Sequence, residues 1–488
     1  MRELSKVFAF GPVIDRAFFL GSSITGYAGS SINALLKRHP LHWITNTIRP
    51  KGLIHIPKNL YVGQPHIAEK MYRGCYPFGG ISPELGGKSP FDIIPPSKAW
   101  EAELLSFSWL NDLAAADDNI IRALARALTQ DWIEAQGPSH PTAWRPDIIS
   151  QRLLNWLSNA DLLLADTPVA YRVNIMRSIG QQLHDLEASI HKAPDGPHRL
   201  AAACTLIIAS LSLSGLEGVH KRSVKVLDFE LTRLILADGG HLSRNPQALV
   251  DTMAILLPTK LCFIDKGLPL PQALITAIDR IFPMVRFFLH GDGGLAGFNG
   301  VSGLKVAEIK KFFEHDDVNG KPFSHAPHSG YHRLEAKRTT VLLDVGAAPP
   351  TRVSHKAHAG CLAMELSDGP YRIIVNCGAM GNDSSPLFQA ARATAAHSAL
   401  IINERSSARF LETGKLVRFF GTPIIGKRIN VGSRRTHCDE GFLLETGHDG
   451  YVDRYGLRHE RRIFVSDSGH EVRGEDRLTR IHRRRNSL

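Results

Sequence analysis

Apolar residues recur at three- and four-residue spacing between about Ser97 and Leu289. That period places them on one face of a helix, so the pattern predicts successive amphipathic helices. Ser97 and Pro146 stand where two of these helices should begin, because serine caps and proline opens helices. Helices of this length with short links indicate stacked antiparallel helix pairs. Further helices are expected over residues 168–192, 198–213, 220–236, 246–265 and 271–289.

The period changes after the glycine-rich segment HGDGGLAGFNG, which runs from His290 to Gly300. Beyond about Ser324, short β-branched or alternating runs are divided by Gly, Asp, Asn and Pro, which is typical of a β-sandwich. Helices first and strands second favour segregated domains over alternating βαβ units. The runs expected to form strands are TTVLLDVG, CLAMELSDG, YRIIVNCG, SALIINE, FLLETGHDGY and RRIFVSDSGHEVRGED.

A chain of 488 residues is long enough for two hydrophobic cores, because single cores rarely grow beyond about 250–300 residues. No apolar run approaches the ~20 residues of a membrane span, and the weakly apolar stretch from Ala17 to Leu36 is broken by glycine, unlike a signal peptide. The predicted division is an N-terminal extension (1–96), a helical domain (97–320), a β-domain (325–478) and a solvated basic tail (479–488).

The formal net charge of +11 predicts a surface that attracts polyanions. Nucleic acid, anionic membrane and acidic polysaccharide are the candidate partners, and a basic surface without a specific partner is the alternative. Nucleic acid is disfavoured because the basic residues are scattered and no helix-turn-helix, zinc-finger or RNP pattern occurs. The six cysteines form no CxxC pair, so we expect small buried apolar residues instead of a zinc ribbon or a disulfide scaffold.

The densest polar segment of the helical half is LADGGHLSRNPQAL. Asp238 and the two glycines after it end one helix, and Asn245 can cap the next, so His241 and Arg244 should lie in the loop between them. Arginine and asparagine are suited to holding a carboxylate by hydrogen bonds. The alternative is ordinary helix capping beside an exposed arginine.

A second polar group occurs in HPTAWRPDIISQRLLNWL. Trp144 and Arg145 stand at a helix start, while Arg152, Asn155 and Trp156 share one helix face. Aromatic rings with flanking hydrogen-bond donors can hold a sugar ring. The alternative is that these tryptophans belong to the core.

Histidines gather in the β-half, where imidazole can act as acid or base near neutral pH or can bind a divalent metal. Their spacings match no zinc pattern such as HExxH, so metal binding is weakly indicated. Surface exposure or a satisfied buried position is the alternative for each one. The three clusters are His325, His328 and His332; His355 and His358; and His397.

Taken in order, the segments DGGHLSRNP, HGDGGLAGFNG, APHSGYHRL, AHAGCLAMEL, VNCG, AAHSAL and HDGY with GLRHERR resemble those of the heparinase II/III family. The resemblance extends from about Trp100 to Leu478, and AHAG and AAHS are its most specific markers. It implies an α+β multidomain protein, with an N-terminal α/α toroid (an incomplete helical barrel) followed by an antiparallel β-sandwich. The implied activity is β-elimination at a uronic acid of an acidic polysaccharide.

Elimination requires that the uronate carboxylate be neutralised, that a base remove the proton on C5 and that an acid protonate the oxygen leaving C4. The resemblance implies that His241, Arg244 and Asn245 neutralise the carboxylate, with His358 reaching the cleft from the sandwich. The candidate catalytic residues are His241, Asn245, His358, His397 and Tyr451, with Tyr331 a weaker candidate. The candidate substrate-binding residues are Trp144, Arg145, Arg152, Asn155 and Arg244.

The chain departs from the family pattern at two places. Family lyases take a catalytic tyrosine from the helical domain after the DGG loop, but no tyrosine occurs between Tyr171 and Tyr331. Relatives can bind a divalent ion beside AHAG through acidic residues, whereas Gly360 and Asn376 stand at the corresponding positions and only His397 is kept. We therefore leave the base unassigned and expect no cofactor and no tightly bound metal.

The first hypothesis is a lyase of an acidic, uronate-containing glycan, and the alternative is a catalytically silent glycan-binding or envelope-assembly protein. A glycoside hydrolase would need paired carboxylates, which Asp238, Asp251 and Asp292 do not evidently form. The expected partner is an acidic polysaccharide, with no nucleic acid and no integral membrane span, and the oligomeric state stays open. The resemblance implies the cell envelope or periplasm, with the cytoplasm as the alternative.

Overall fold

The computed structural model describes residues 48–60, 63–135, 141–190, 197–303, 306–316, 320–380, 385–412, 417 and 421–481. The stretch from Ala17 to Leu36 and residues 482–488 of the predicted tail lie outside the described residues. Two compact units divide the chain. Among the described residues, we call 48–231 with 254–275 the helical unit, and 232–253 with 276–481 the sheet unit. The predicted boundary near residue 320 stays a prediction.

Helices dominate up to residue 313, and their positions follow the apolar period. The Ser97 side chain accepts a hydrogen bond from the Trp100 amide at 3.1 Å, so serine caps its helix as expected. The α-helices are α1 (Pro65–Tyr72), α2 (Lys98–Ser106), α3 (Leu110–Ala115), α4 (Asn119–Ala135), α5 (Pro146–Ser158), α6 (Ala160–Leu164), α7 (Val169–Ser189), α8 (Pro197–Ser212), α9 (Glu217–Leu234), α10 (Pro246–Asp265), α11 (Gln272–Phe288), α12 (Val306–Phe313), α13 (Pro386–Arg392) and α14 (Val452–Tyr455).

Aromatic side chains form the centre of one core in the helical unit. The Phe107 ring centroid lies 4.8 Å from that of Trp109, 5.7 Å from that of Trp132 and 5.5 Å from that of Trp156. Rings of this size bury large apolar areas and pack edge to face, so they stabilise the helices that carry them. Trp156 therefore belongs to the hydrophobic core, as the alternative to sugar binding expected, because its side chain is almost fully buried.

The strands of the sheet unit form two larger antiparallel sheets and a small two-stranded sheet. One sheet has the order β1-β2-β3-β4-β5, the other has the order β11-β10-β9-β8, and β6 pairs with β7. The strands are β1 (His325–Ala326), β2 (Tyr331–Ala336), β3 (Thr339–Asp344), β4 (Met364–Asp368), β5 (Tyr371–Ile374), β6 (Arg409–Phe410), β7 (Ile424–Ile425), β8 (Val431–Cys438), β9 (Gly441–His448), β10 (Leu457–Ser466) and β11 (Val472–Arg480).

The two larger sheets share one apolar core, which makes them a sandwich. Leu334 and Leu343 from the first sheet belong to the same buried cluster as Leu444 and Val465 from the second. Strand β11 reaches Arg480, so the start of the predicted basic tail is part of a strand.

One predicted strand is wrong. The run SALIINE contains no strand: a bridge between Ile402 and Arg405 closes a turn there, and Asn403 and Glu404 have positive φ angles. Such angles are incompatible with an extended ladder.

One described helix, α10, is long and apolar enough to cross a membrane by length and composition alone. Half of its apolar window is buried within the protein, as in an ordinary core helix, so it indicates no integral membrane span.

Candidate functional site

The loop between α9 and α10, DGGHLSRNP, is fixed from both ends. Asp238 Oδ2 accepts hydrogen bonds from the backbone amides of His328 at 2.8 Å and Ser329 at 2.7 Å, which ties the loop to the turn before β2. Asn245 Oδ1 accepts from the Gln247 amide at 2.9 Å and so caps α10, as the capping alternative expected. The loop belongs to the sheet unit and is tied to it by these hydrogen bonds.

Arg244 is buried in the sheet unit, which corrects its assignment as a loop cation open to substrate. Its guanidinium donates to the Asp344 carboxylate and to the backbone oxygens of Ser329 at 2.6 Å and Ala347 at 2.9 Å. A Cβ atom on Gly346 would lie 2.3 Å from Arg244 Cζ, so only glycine leaves room for this packing. Burial opposes the charge, but Asp344 outweighs it and the pKa of Arg244 is raised.

Asn299, which is not among the predicted site residues, connects the DGG loop to the AHAG segment. Its Nδ2 donates to the Tyr331 hydroxyl at 2.6 Å, and that hydroxyl donates to the Arg244 backbone oxygen at 2.7 Å. Asn299 Oδ1 accepts from the His358 amide at 3.1 Å. Asn299 has a φ of 50°, a left-handed conformation that asparagine tolerates, and the FNG motif was the available signal for it. Tyr331 is therefore a buried residue whose hydroxyl is engaged by Asn299 and by the Arg244 backbone oxygen.

His358 and His397 stack on each other, with ring centroids 4.8 Å apart and an interplanar angle of 29°. Among the described residues, neither His358 ring nitrogen nor His397 Nε2 has a hydrogen-bond partner, although all three atoms are buried. Desolvation lowers the pKa of His397 to about 4 and holds the pKa of His358 well below its usual value. Both imidazoles are neutral at pH 7. His397 also borders a cavity with Arg461 and Asp476.

A buried carboxylate, also missed from the sequence, lies beside this pair. Glu365 Oε1 accepts from the Asn376 amide at 3.0 Å and its side chain at 3.2 Å, while Oε2 contacts His290 Nε2 at 2.9 Å. Asn376 Oδ1 in turn accepts from the Ser398 amide at 3.1 Å. The side-chain oxygen of Asn376, at the position where relatives have an acidic ligand, is thus already engaged.

The residues in this region do not fit the divalent ion that the family resemblance implied. Gly360 offers no ligand atom, and a Cβ there would lie 3.4 Å from the His397 ring. Within the described part of the chain, no group of three or more His, Cys, Asp or Glu side chains is arranged to hold a metal ion. The expectation of no tight metal stays a prediction.

His241 and Tyr451 are both buried. The Ser243 amide donates to His241 Nδ1 at 3.1 Å, and desolvation, with Arg233, lowers the pKa of His241 to about 4. The Tyr451 hydroxyl donates to the Leu400 backbone oxygen at 2.9 Å, and burial raises its pKa to about 12. Tyr451 holds the 398–404 segment in place, which corrects its assignment as a candidate base.

Arg152 is also a structural residue, which corrects its assignment to substrate binding. It is fully buried and donates to Gln182 Oε1 at 2.8 Å and to the backbone oxygens of Leu105 and Ala143, each at 2.9 Å. Desolvation lowers its pKa to about 9. Asn155 likewise serves the helix packing, because its Nδ2 donates to the Ser106 oxygen at 2.9 Å.

Trp144 and Arg145 remain candidates for ligand contact in the helical unit. Trp144 is partly exposed at the end of a short 3₁₀ helix, Pro141–Trp144. Arg145 is exposed and pairs with Asp147, with 2.6 Å between Nη2 and Oδ2. Their role in binding stays a prediction.

Comparisons with known proteins agree with the earlier resemblance. The sequence profile described as "Heparinase II/III-like, C-terminal" matches residues 318–485. FtsZ-localized protein C of Caulobacter vibrioides (strain NA1000 / CB15N) is 31% identical over 433 residues, which are 88% of this chain and 74% of that protein. The chain belongs to the heparinase II/III-like family. Family and fold together support a polysaccharide lyase-like protein from a bacterium.

Solved structures of the family confirm the fold of this heparinase II/III-like protein. Heparan sulfate lyase HepC from Pedobacter heparinus, as a mutant, aligns with a TM-score of 0.59 and 17% identity over 96% of this chain and 75% of that chain. Heparinase III aligns with a TM-score of 0.59 and 14% identity over 95% of this chain and 79% of its own. At these identities the likeness concerns the fold alone, a helical toroid followed by a β-sandwich.

Proposed function

We propose that the protein cleaves an acidic, uronate-containing polysaccharide by β-elimination and that His358 transfers the proton. The supporting observation is the His358 ring: it is buried and neutral, and both nitrogens lack a partner among the described residues. Buried polar atoms without partners cost free energy, so native proteins keep few of them. A neutral imidazole beside a substrate can accept a proton, so a catalytic role would explain why both nitrogens are left without partners.

One imidazole can perform both proton transfers when the two groups leave from the same face of the sugar. The neutral ring takes the proton from C5, the electron pair forms the C4–C5 double bond, and the C4–O bond breaks. The resulting imidazolium then protonates the departing oxygen, which returns His358 to its neutral form. Because burial lowers the pKa of the ring, the imidazolium is a strong acid for the second step, and the neutral ring is a correspondingly weak base for the first. This route needs no tyrosine.

The arrangement also predicts slow turnover. Stabilising the charge that develops on the uronate is usually the largest part of such catalysis. Arg244 is committed to Asp344, and the Tyr331 and Tyr451 hydroxyls are committed to backbone oxygens. Both His358 nitrogens are also shielded from solvent. Neighbouring residues therefore have to move before a sugar can contact the ring.

A second candidate is a catalytically silent glycan-binding or envelope-assembly protein. The buried pair of Arg244 and Asp344 favours it, because the expected neutralising cation is withdrawn from solvent. The likeness to FtsZ-localized protein C favours it as well, since that name describes where the relative is found, not a reaction. The cell envelope or periplasm stays the proposed location, with the cytoplasm as the alternative.

One experiment separates these functions. The full chain is incubated with a panel of uronate polymers while ultraviolet absorbance, reducing ends and binding are recorded. A lyase produces the absorbance of an unsaturated uronate together with new reducing ends. Binding without either signal selects the silent protein, and reducing ends without absorbance would show a hydrolase and contradict both proposals.

A further inference from the structure

Lys356 stands two residues before His358, and its side chain is exposed. Gly300 packs against it: a Cβ on Gly300 would lie 2.8 Å from the Lys356 backbone oxygen and 3.0 Å from Lys356 Cβ. The same point lies 3.2 Å from Asn245 Nδ2. Gly300 has a φ of 99°, so the close approach and the backbone conformation both require glycine. Lys356 and Asn245 therefore both lie next to Gly300, in the segment that also contains Asn299.

Lys356 is an available cation where Arg244 is not. No hydrogen bond or ion pair within 4 Å links its ammonium group to another described residue. Arg244, by contrast, gives its donors to Asp344 and to backbone oxygens inside the sheet unit. An ammonium on a flexible stem can reach a ligand anion without leaving a buried carboxylate unpaired.

Polar groups from the first turns of α10 surround this position. Gln247 Oε1 accepts from the Ser302 amide at 2.7 Å and from its hydroxyl at 3.0 Å. Asp251 lies one helical turn after Gln247, and its side chain is exposed although many protein atoms lie near its carboxyl group. Desolvation raises the pKa of Asp251 to about 6, and Lys356 and Gln247 act in the opposite direction. Asp251 is thus a carboxylate that interacts electrostatically with Lys356.

We infer that Lys356 binds the carboxylate of a uronate residue, with the Asn245 amide as a second donor, and thereby supplies the neutralising charge that Arg244 cannot. The inference rests on the proposed function and names the subsite for the acid group of its substrate. The uronate carboxylate takes the place of Asp251 as the counter-ion of Lys356. Neutralisation at this carboxylate is what acidifies the C5 proton that His358 removes.

The test compares Lys356→Met and Lys356→Arg with Lys427→Met in the full chain. Lys427 is also exposed and belongs to the sheet unit, so its variant removes the same charge from another position in that unit. The ligands are a polyuronate and the same polymer after reduction of its carboxyl groups to alcohols. The readouts are the dissociation constant and, where turnover occurs, kcat.

Lys356→Met should weaken polyuronate binding by about tenfold or more, as expected for loss of a charge-assisted contact, while binding of the reduced polymer is unchanged. Lys356→Arg should keep most of the affinity, and Lys427→Met should behave like the parent. If Lys356→Met and Lys427→Met have equal effects on a parent that binds the polyuronate, the subsite is wrong and the proposed function stands. If the parent prefers neither polymer and forms no product, the proposed function fails and the subsite fails with it.

Discussion

Arg244 and Asp344 form an ion pair inside the sheet unit, although one residue belongs to the loop before α10 and the other ends β3, 100 residues later. Removing one partner of a buried pair leaves the other charge without compensation. We therefore expect Arg244→Ala to destabilise the sheet unit by about 3–5 kcal/mol, measured by thermal unfolding followed by near-ultraviolet circular dichroism.

Arg145→Ala is the matched control, because Arg145 also pairs with a carboxylate but is exposed, and such pairs contribute about 0–1 kcal/mol. Replacing both Arg244 and Asp344 by apolar residues should cost less than Arg244→Ala alone. A thermal midpoint of Arg244→Ala equal to that of the parent would show that the arginine is free to serve a ligand, as the sequence alone suggested.

Acid should destabilise this protein through its buried histidines. Burial lowers the pKa of His241 and His397 to about 4 and of His332 and His448 to about 3, and it lowers the pKa of His358 as well. Unfolding restores the ordinary pKa of about 6.5, so the unfolded chain binds more protons below that pH. Stability is complete above about pH 7 and decreases as the pH falls from about 6.5 towards 4.

The measurement is the thermal midpoint between pH 8 and pH 4, with His332→Gln as the comparison. Near pH 5 these five histidines together should take up roughly five protons on unfolding, and His332→Gln should reduce that contribution by about one. A midpoint that does not change between pH 7 and pH 5 would mean that these rings are exposed or already charged in the folded protein.

A chelator should leave both the stability and the activity of the protein unchanged. Asn376 joins Glu365 to the Ser398 amide through its side chain, so the position beside His397 is held by hydrogen bonds that need no ion. The check is thermal unfolding and polyuronate turnover before and after dialysis against EDTA. A lower midpoint that returns on addition of Zn²⁺ would contradict the expectation.

The spacing of apolar residues predicted the fold, because each helix or strand must place its apolar side chains on the face that it buries. The helices from Ser97 onward, β3, β4 and β9 follow their apolar patterns closely. The run SALIINE shows the limit, since its branched residues resemble a strand while positive φ angles at Asn403 and Glu404 turn the chain.

The site was harder to predict for a different reason. Whether a loop arginine meets substrate or a buried carboxylate depends on a residue far away in sequence, and no local pattern connects Arg244 to Asp344. Asn299 and Glu365 were missed because a single asparagine or glutamate belongs to no periodic pattern in the sequence. His358 was found through its resemblance to a family motif, and its stacking on His397 appears only in the folded chain.

The most direct test of the proposed chemistry is the initial rate of unsaturated-uronate formation by the parent and by His358→Ala, on whichever uronate polymer the parent cleaves. Circular dichroism of both proteins establishes that the variant is folded, and His397→Ala and His241→Ala serve as comparisons. The proposed mechanism predicts that His358→Ala loses most of the rate, by about 10²-fold or more, because one ring performs both proton transfers. A folded His358→Ala protein that keeps the full parental rate would contradict it.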